Sequence, residues 1–370
     1  MALKFAIAGG GTGGHVTPAL ALGECIVARG DEALFIGSDQ GIETRLVPEA
    51  GFELVALRSR QVMGRGWLGR LRGVVAILGA VRGAWGALRE FDADGVISVG
   101  GYAAMPASIA ARLRGTPLFL VTLDAVPGRV ARLSARFSSV VFPGFETARE
   151  TEERNDEVEG RARCFGVPLR RALVAKFADQ PARRLAKEPF HVLVFGGSQG
   201  ARQINEAMIA ALPHLNKLSI EVVHQSGSAD RERVAAAYRE HGVEATVLDF
   251  EPDMPSRYRW ADIAICRAGA LTVAELALAG LPALLVPYPY AADDHQSANA
   301  RQLEVAGAAR LLQSLGPAGE RAELLAEALA ELLSTPENLL VMSAAARKRA
   351  RPDAALRIVN GCAEALRGGP

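Results

Sequence analysis

The chain has 370 residues, enough for two domains with separate cores. Its 49% hydrophobic and 22% charged content is that of a globular protein and excludes a disordered or fibrous one. A formal net charge of +1 gives no global reason to expect nucleic acid as a partner.

Four scattered cysteines without a C-x-x-C pair point to buried thiols in a reducing compartment, not to a disulfide framework or metal site. Gly9 interrupts the apolar run after Lys4, which argues against a signal peptide. No run reaches the ~18 apolar residues of a membrane span. The expectation is a soluble protein made in the cytoplasm, free to touch a membrane surface.

The first predicted strand, "KFAIAG" (4–9), enters the glycine cluster "GGGTGGH" (9–15), and a helix-prone stretch follows. Gly9, Gly11 and Gly14 fit G-x-G-x-x-G, a turn that brings backbone N–H groups close to an anion. A dinucleotide site would also need an acid ending the second strand to hold a ribose. That strand, "EALFIG" (32–37), ends at Gly37, with Asp39 already in the loop. His15 sits where a helix N-terminus disfavours an imidazolium, so a neutral base is reasonable there, as is a histidine that merely caps or packs.

Residues 54–89 hold seven arginines and no acid, interleaved with apolar residues such as Met63, Trp67, Leu68 and Trp85. That mixture suits an anionic headgroup region. Most of 73–89 reads as the core face of a helix, which leaves 61–72 as the membrane-contact segment. Strands "GVISVG" (95–100) and "PLFLVT" (117–122) follow, and the acidic "TEERNDEVEG" (151–160) reads as a surface loop. A hinge is placed near "GVPLRR" (166–171).

The second half repeats the pattern, with strands "HVLVFGG", "IEVVHQ", "ATVLDF", "DIAICR" and "PALLVPY". Continuous apolar strands between helices indicate parallel sheets covered on both faces, and the echo between halves indicates two Rossmann-like domains. "GGSQGAR" (196–202) adds Ser198 beside backbone N–H groups; a diphosphate cradle and a plain strand–helix turn both fit.

"CRAGALTVAE" (266–275) places Ala270, Leu271 and Thr272 at a helix start with Glu275 one turn further on. Phosphates on the amides and a ribose diol on the carboxylate would fit a nucleotide, whereas a lone glutamate there also serves the helix dipole. "DDHQSANA" (293–300) groups His295 and Gln296 with other polar residues able to read sugar hydroxyls, without the ligand spacing of a metal site. The final segment, "PDAALRIVNGCAEALRGG", reads as a helix.

"GGGTGGH", "GGY" (100–102), "GGSQGAR", "HQSG" (224–227), "CRAGALTVAE" and "DHQSANA" resemble, in order, the motifs of the MurG family. These are glycosyltransferases that attach N-acetylglucosamine to lipid-linked muramyl-pentapeptide in bacterial cell-wall synthesis. The resemblance runs over nearly the whole chain. It implies a GT-B architecture, two Rossmann-like parallel-sheet domains facing across a cleft. The first would be 1–166 with the C-terminal helix 346–370 packed back on it, and the second 167–345.

The resemblance implies UDP-N-acetylglucosamine as donor. Phe250 would lie against the uracil and the Glu251 backbone would pair with its edge. Ser198 and the backbone at Ala270, Leu271 and Thr272 would hold the diphosphate, with Arg170 near the nucleotide. Glu275 would take the ribose, and His295 and Gln296 the sugar hydroxyls. Thr12, Gly13 and Gly14 would serve the donor and, with Gly11, Gly101 and Tyr102, the acceptor's diphosphate.

His15 is the implied base for the acceptor 4-hydroxyl. Where the family usually reads "H-E-Q-N" this chain reads "VTLD" (121–124), so Asp124 replaces an asparagine and Thr122 a glutamate. Asp124 accepts but, ionised, does not donate, and stands as a second candidate base. No metal or cofactor is implied. The partners implied are the undecaprenyl-diphosphate-linked acceptor and an anionic membrane surface, at the cytoplasmic face. Other classes stay open: a transferase for another lipid, a UDP-sugar epimerase, a non-catalytic UDP-sugar binder and, with least support, a dehydrogenase.

Overall fold

The computed structural model describes residues 2–58, 67–146, 161–197, 201–215, 217–313 and 318–368, with only the backbone described over 67–74, at 292 and over 318–321. Ser198, the 61–66 part of the membrane-contact segment and the acidic 151–160 loop lie outside the described residues. The chain divides into two compact units, 1–172 with 351–370, and 173–350. The divisions fall after Ala172 and Ala350, a few residues beyond the 166 and 345 read from sequence.

The first unit is a parallel sheet in the order β3-β2-β1-β4-β5-β6. Its strands are β1 (Lys4–Ala8), β2 (Glu32–Ser38), β3 (Leu54–Leu57), β4 (Gly95–Ser98), β5 (Leu118–Thr122) and β6 (Val140–Pro143). β1 pairs with β2 on one side and with β4 on the other, so Phe5, Ala6, Ile7 and Ala8 lose all contact with water. Burial on both faces is why β1 has no polar alternation. Truncating Phe5 to alanine would cost roughly 3–5 kcal/mol. The order reverses between β1 and β4, which opens a crevice at their carboxyl ends.

The helix Gly13–Ala28 leaves β1, and the C-terminal helix Ala354–Gly368 packs against it. That helix starts at Ala354, not at 346, because residues up to Arg349 complete the helix Pro336–Arg349 of the second unit and Ala350 is extended. Gly166 (φ +102) lets the outgoing chain pass Arg351 of the returning one; a Cβ at Gly166 would lie 2.6 Å from Arg351 Cβ.

The second unit repeats the topology as β12-β11-β10-β7-β8-β9. Its strands are β7 (Phe190–Phe195), β8 (Ile220–Gln225), β9 (Glu244–Leu248), β10 (Ile263–Cys266), β11 (Ala283–Leu285) and β12 (Ala309–Leu311). Met208 and Leu212 from the helix Arg202–Leu215 pack with Leu325 and Leu329 from Ala318–Ser334 over one face. Again the order reverses at the central strand, here between β7 and β10.

Candidate active site

In the first unit two glycine turns meet at the reversal point. After β1, Gly11 takes φ +88 and Thr12 is extended before the helix begins at Gly13. After β4, Gly100 and Gly101 take φ +84 and +78, leading into the short turn Tyr102–Ala104. His15 lies against that second turn: a Cβ on Gly101 would stand 3.6 Å from His15 Cδ2 and 3.3 Å from the Gly10 carbonyl oxygen. Only glycine offers both the backbone angle and the room there.

The imidazole is half-buried, and its Nδ1 is 3.1 Å from Thr12 Oγ1. Nδ1–H donating to Thr12 is the tautomer that leaves the Nε2 lone pair for a substrate proton. Gly11, Thr12, Gly14 and Tyr102 are exposed, and Gly13 and Gly101 are half-buried. The first N–H groups of a helix have no intrahelical partner, so Gly13 and Gly14 present donors to an anion.

The acid missing from the end of the second strand appears as Glu43, which sequence reasoning did not find. It is fully buried beneath the glycine turn, where Oε2 accepts Gly11 N–H and Oε1 accepts Ser38 N–H, each at 2.8 Å. Both oxygens are therefore engaged by backbone N–H groups. The Gly11 N–H is likewise spent inward, so the anion-facing donors are those after it.

Asp124 is half-buried just past β5, two strands along from β1. Two strand spacings put those strand ends about 10 Å apart. Thr122 is buried, its carbonyl accepting Gly144 N–H at 2.7 Å. Arg170 also belongs to the first unit and is paired there with Glu24 of the helix Gly13–Ala28, whose other oxygen accepts Arg171 N–H at 3.0 Å.

In the second unit the helix Ala270–Ala279 starts just after β10, with Gly269 extended at its cap and no side chain capping it. The N–H groups of Ala270, Leu271 and Thr272 thus open the helix without intrahelical acceptors. Glu275 keeps partial exposure, but burial of its carboxyl pushes its pKa up to about 7, while the Tyr258 hydroxyl, donating at 2.7 Å, pulls it down.

Phe250 is 57% exposed, available for a base to stack on. The Glu251 side chain is buried, pairing with Arg257 and accepting Asp253 N–H at 2.9 Å, so only its main chain is left for a ligand. Gln296 Oε1 accepts Tyr288 N–H at 2.9 Å, which leaves its amide NH2 as a donor toward a sugar. His295 opens the helix His295–Glu304 after two left-handed residues, Asp293 (φ +53) and Asp294 (φ +49). Such adjacent strain persists only where surrounding contacts fix it, a common property of ligand loops.

Two supporting groups escaped sequence reasoning. Arg267 donates to the Val286 and Pro287 carbonyls and to Gln203 Oε1, tying the loop before His295 to the helix Arg202–Leu215. His224 is buried, with Nδ1 3.0 Å from the Tyr238 hydroxyl and Nε2 3.0 Å from Asn205 Oδ1. Asn205 uses its NH2 on Ser226 O and Asp230, so its oxygen must accept. His224 therefore carries its proton on Nε2 and accepts from Tyr238. The "HQSG" motif was the available signal, but it does not reveal partners that lie far off in sequence.

The family model "Glycosyltransferase family 28 N-terminal domain" matches residues 5–143, and "Glycosyltransferase family 28 C-terminal domain" matches 191–358. The chain is 41% identical to a UDP-N-acetylglucosamine--N-acetylmuramyl-(pentapeptide) pyrophosphoryl-undecaprenol N-acetylglucosamine transferase of Pelobacter propionicus, over 97% of this chain and 98% of that one. It is also 41% identical to the same-named protein of Acidithiobacillus ferrooxidans, over 100% and 99%.

Among solved structures it matches Acinetobacter baumannii MurG with a TM-score of 0.77 and 30% identity, covering 98% of this chain and 100% of that one. A UDP-GlcNAc 2-epimerase from Neisseria meningitidis, at 13% identity and TM-score 0.68 with 99% and 100% covered, shares the fold alone. The chain belongs to the MurG family of glycosyltransferases.

Proposed function

We propose that this chain transfers N-acetylglucosamine from UDP-N-acetylglucosamine to the 4-hydroxyl of undecaprenyl-diphosphate-linked N-acetylmuramyl-pentapeptide. The observation that carries the reading is His15, half-buried between two glycine turns beside unsatisfied helix N–H groups. That pairs a base with an anion cradle, as a diphosphate-linked acceptor alcohol requires. A sugar-binding protein without catalysis needs no such base.

His15 Nε2 takes the proton as the hydroxyl oxygen bonds to the anomeric carbon. The bond from that carbon to UDP breaks in the same displacement, and the α-linked donor yields a β-1,4 linkage. The N–H groups at Ala270, Leu271 and Thr272, with Ser198, meet the charge on the departing UDP, and no bound metal is required. Thr12, Gly13 and Gly14, with Gly101 and Tyr102, hold the acceptor diphosphate. Phe250, Glu251, Glu275, His295 and Gln296 hold the donor, and Arg170 keeps the role near the nucleotide that the family resemblance implies. Asp124, just past β5, orients a sugar hydroxyl or serves as the second candidate base.

A lipid-linked acceptor used together with a nucleotide-sugar donor supports a peripheral position at the cytoplasmic face of the membrane. No helix among the described residues is long and apolar enough to cross one. The helix Trp67–Glu90 splits between two environments. Ala80, Val81, Ala84 and Leu88 are buried, whereas Val75 and Leu78 are each 62% exposed, with Ile77 and Trp85 also exposed. That is more apolar surface than a core-facing 73–89 would leave.

Arg114 of the neighbouring helix Met105–Arg114 lies over the Trp85 ring, and Leu113, Arg82 and Arg89 are exposed nearby in the fold. This mixed patch, which follows 61–72 in sequence, is the proposed membrane contact, with about 1 kcal/mol per arginine near an anionic surface. Release of UDP only when the muramyl lipid is present is the test. Consumption of UDP-N-acetylglucosamine without acceptor would instead indicate an epimerase.

A further inference from the structure

Three glycines around the first turn are explained by one side chain. A Cβ on Gly10 would fall 2.1 Å from Glu43 Oε1, one on Gly41 2.0 Å from Oε2, and one on Gly37 2.8 Å from Cγ. None of the three has a positive φ, so what a side chain there would meet is Glu43, which would have to move. Glu43 is fully buried, and the partners of its carboxylate are the backbone N–H groups of Gly11 and Ser38, with no arginine or lysine paired to it among the described residues. Burying a carboxylate on amides alone is expensive, and a hydrophobic side chain could have filled the volume.

What the carboxylate does that an apolar group would not is hold the Gly11 N–H inward. That fixes φ +88 at Gly11 and the extended backbone of Thr12, whose hydroxyl is the partner of His15 Nδ1. We infer that Glu43 is a positioning residue for the acceptor half of the reaction, setting His15 through Gly11 and Thr12. The inference rests on His15 being the base. Glu43 itself touches no substrate.

The test is a cycle of variants assayed for transfer and for UDP binding. Glu43→Gln keeps the shape but turns an NH2 against one of the two N–H donors. Its kcat for transfer should fall by about tenfold or more, while its Kd for UDP changes by less than about twofold. A general loss of structure would move both.

Gly41→Ala displaces the carboxylate from outside the glycine turn and should act in the same direction, which keeps the test open if Glu43→Gln folds poorly. In a His15→Ala background neither change should reduce transfer further, because the group they position is gone. Equal fold-losses in both backgrounds, or full turnover in Glu43→Gln and Gly41→Ala, would overturn the inference while leaving His15 as base. Unchanged turnover in His15→Ala alone would overturn the base assignment, and the role of Glu43 with it.

Discussion

Tyr258 donates its phenolic hydrogen to Glu275 Oε2 across 2.7 Å, one turn inside the helix whose first amides face the proposed diphosphate. Burial raises the Glu275 pKa to about 7, and this hydrogen bond is what opposes the rise. The ionised carboxylate is the better acceptor for a ribose diol. UDP binding should therefore weaken as pH falls through about 7. Tyr258→Phe should push the Glu275 pKa higher and weaken UDP binding at neutral pH by about three- to tenfold, measurable by calorimetry. For folding the sign is opposite: with the folded pKa raised, the contribution of Glu275 is fullest below its unfolded value and is lost as pH rises through about 7.

His224 gives the second unit the reverse dependence. Burial lowers its pKa from 6.5 to about 3, so the unfolded chain binds a proton that the folded one refuses. Stability should decline as pH falls from about 6.5 toward 3, with a slope of up to about 1.4 kcal/mol per pH unit. His224→Asn should be less stable at neutral pH, because it loses the Tyr238 contact, and should show a flatter acid limb in denaturant titrations.

The Thr12 hydroxyl lies 3.1 Å from His15 Nδ1, where it can accept Nδ1–H and orient the ring. Thr12→Val removes the acceptor for Nδ1–H at nearly constant shape, and transfer should fall about tenfold or more. Thr12→Ser restores the oxygen and should recover most of it. Equal rates for the two variants would show that the hydroxyl has no part in orienting the base.

Leu78 is 62% exposed, so Leu78→Asp should leave the melting temperature nearly unchanged. Binding to vesicles containing anionic phospholipid should drop about tenfold, and wild-type binding should weaken with added salt. Salt-independent binding, or none by the wild type, would remove the patch from the account.

Much of the sheet was legible in the sequence because the central strands are buried on both faces. "KFAIA", "VLVF" and "IAIC" are runs that need no partner to be recognised. The missed strands β3, β6 and β12 are all sheet edges of three or four residues. There a short run, partial exposure in β3 and β12, or a terminal proline in β6, blurs the pattern. Glycine turns and helix starts could be read directly, since their residue types follow from backbone geometry.

Side chains acting over long sequence separations could not. Glu43 looks like any surface helix glutamate in "GIETR" until the fold lays the glycine turn over it. Arg170 likewise carries nothing in its local sequence that predicts Glu24 as its partner.

The most direct measurement is transfer of labelled N-acetylglucosamine from its UDP donor to the muramyl-pentapeptide lipid, with wild type and His15→Ala assayed side by side and UDP affinity measured for both. The account predicts a β-1,4-linked product and stoichiometric UDP from the wild type. It predicts a loss of about 100-fold or more in kcat for His15→Ala, at nearly unchanged UDP affinity. Donor binding by the wild type with no labelled lipid product, or full turnover by His15→Ala, would contradict it.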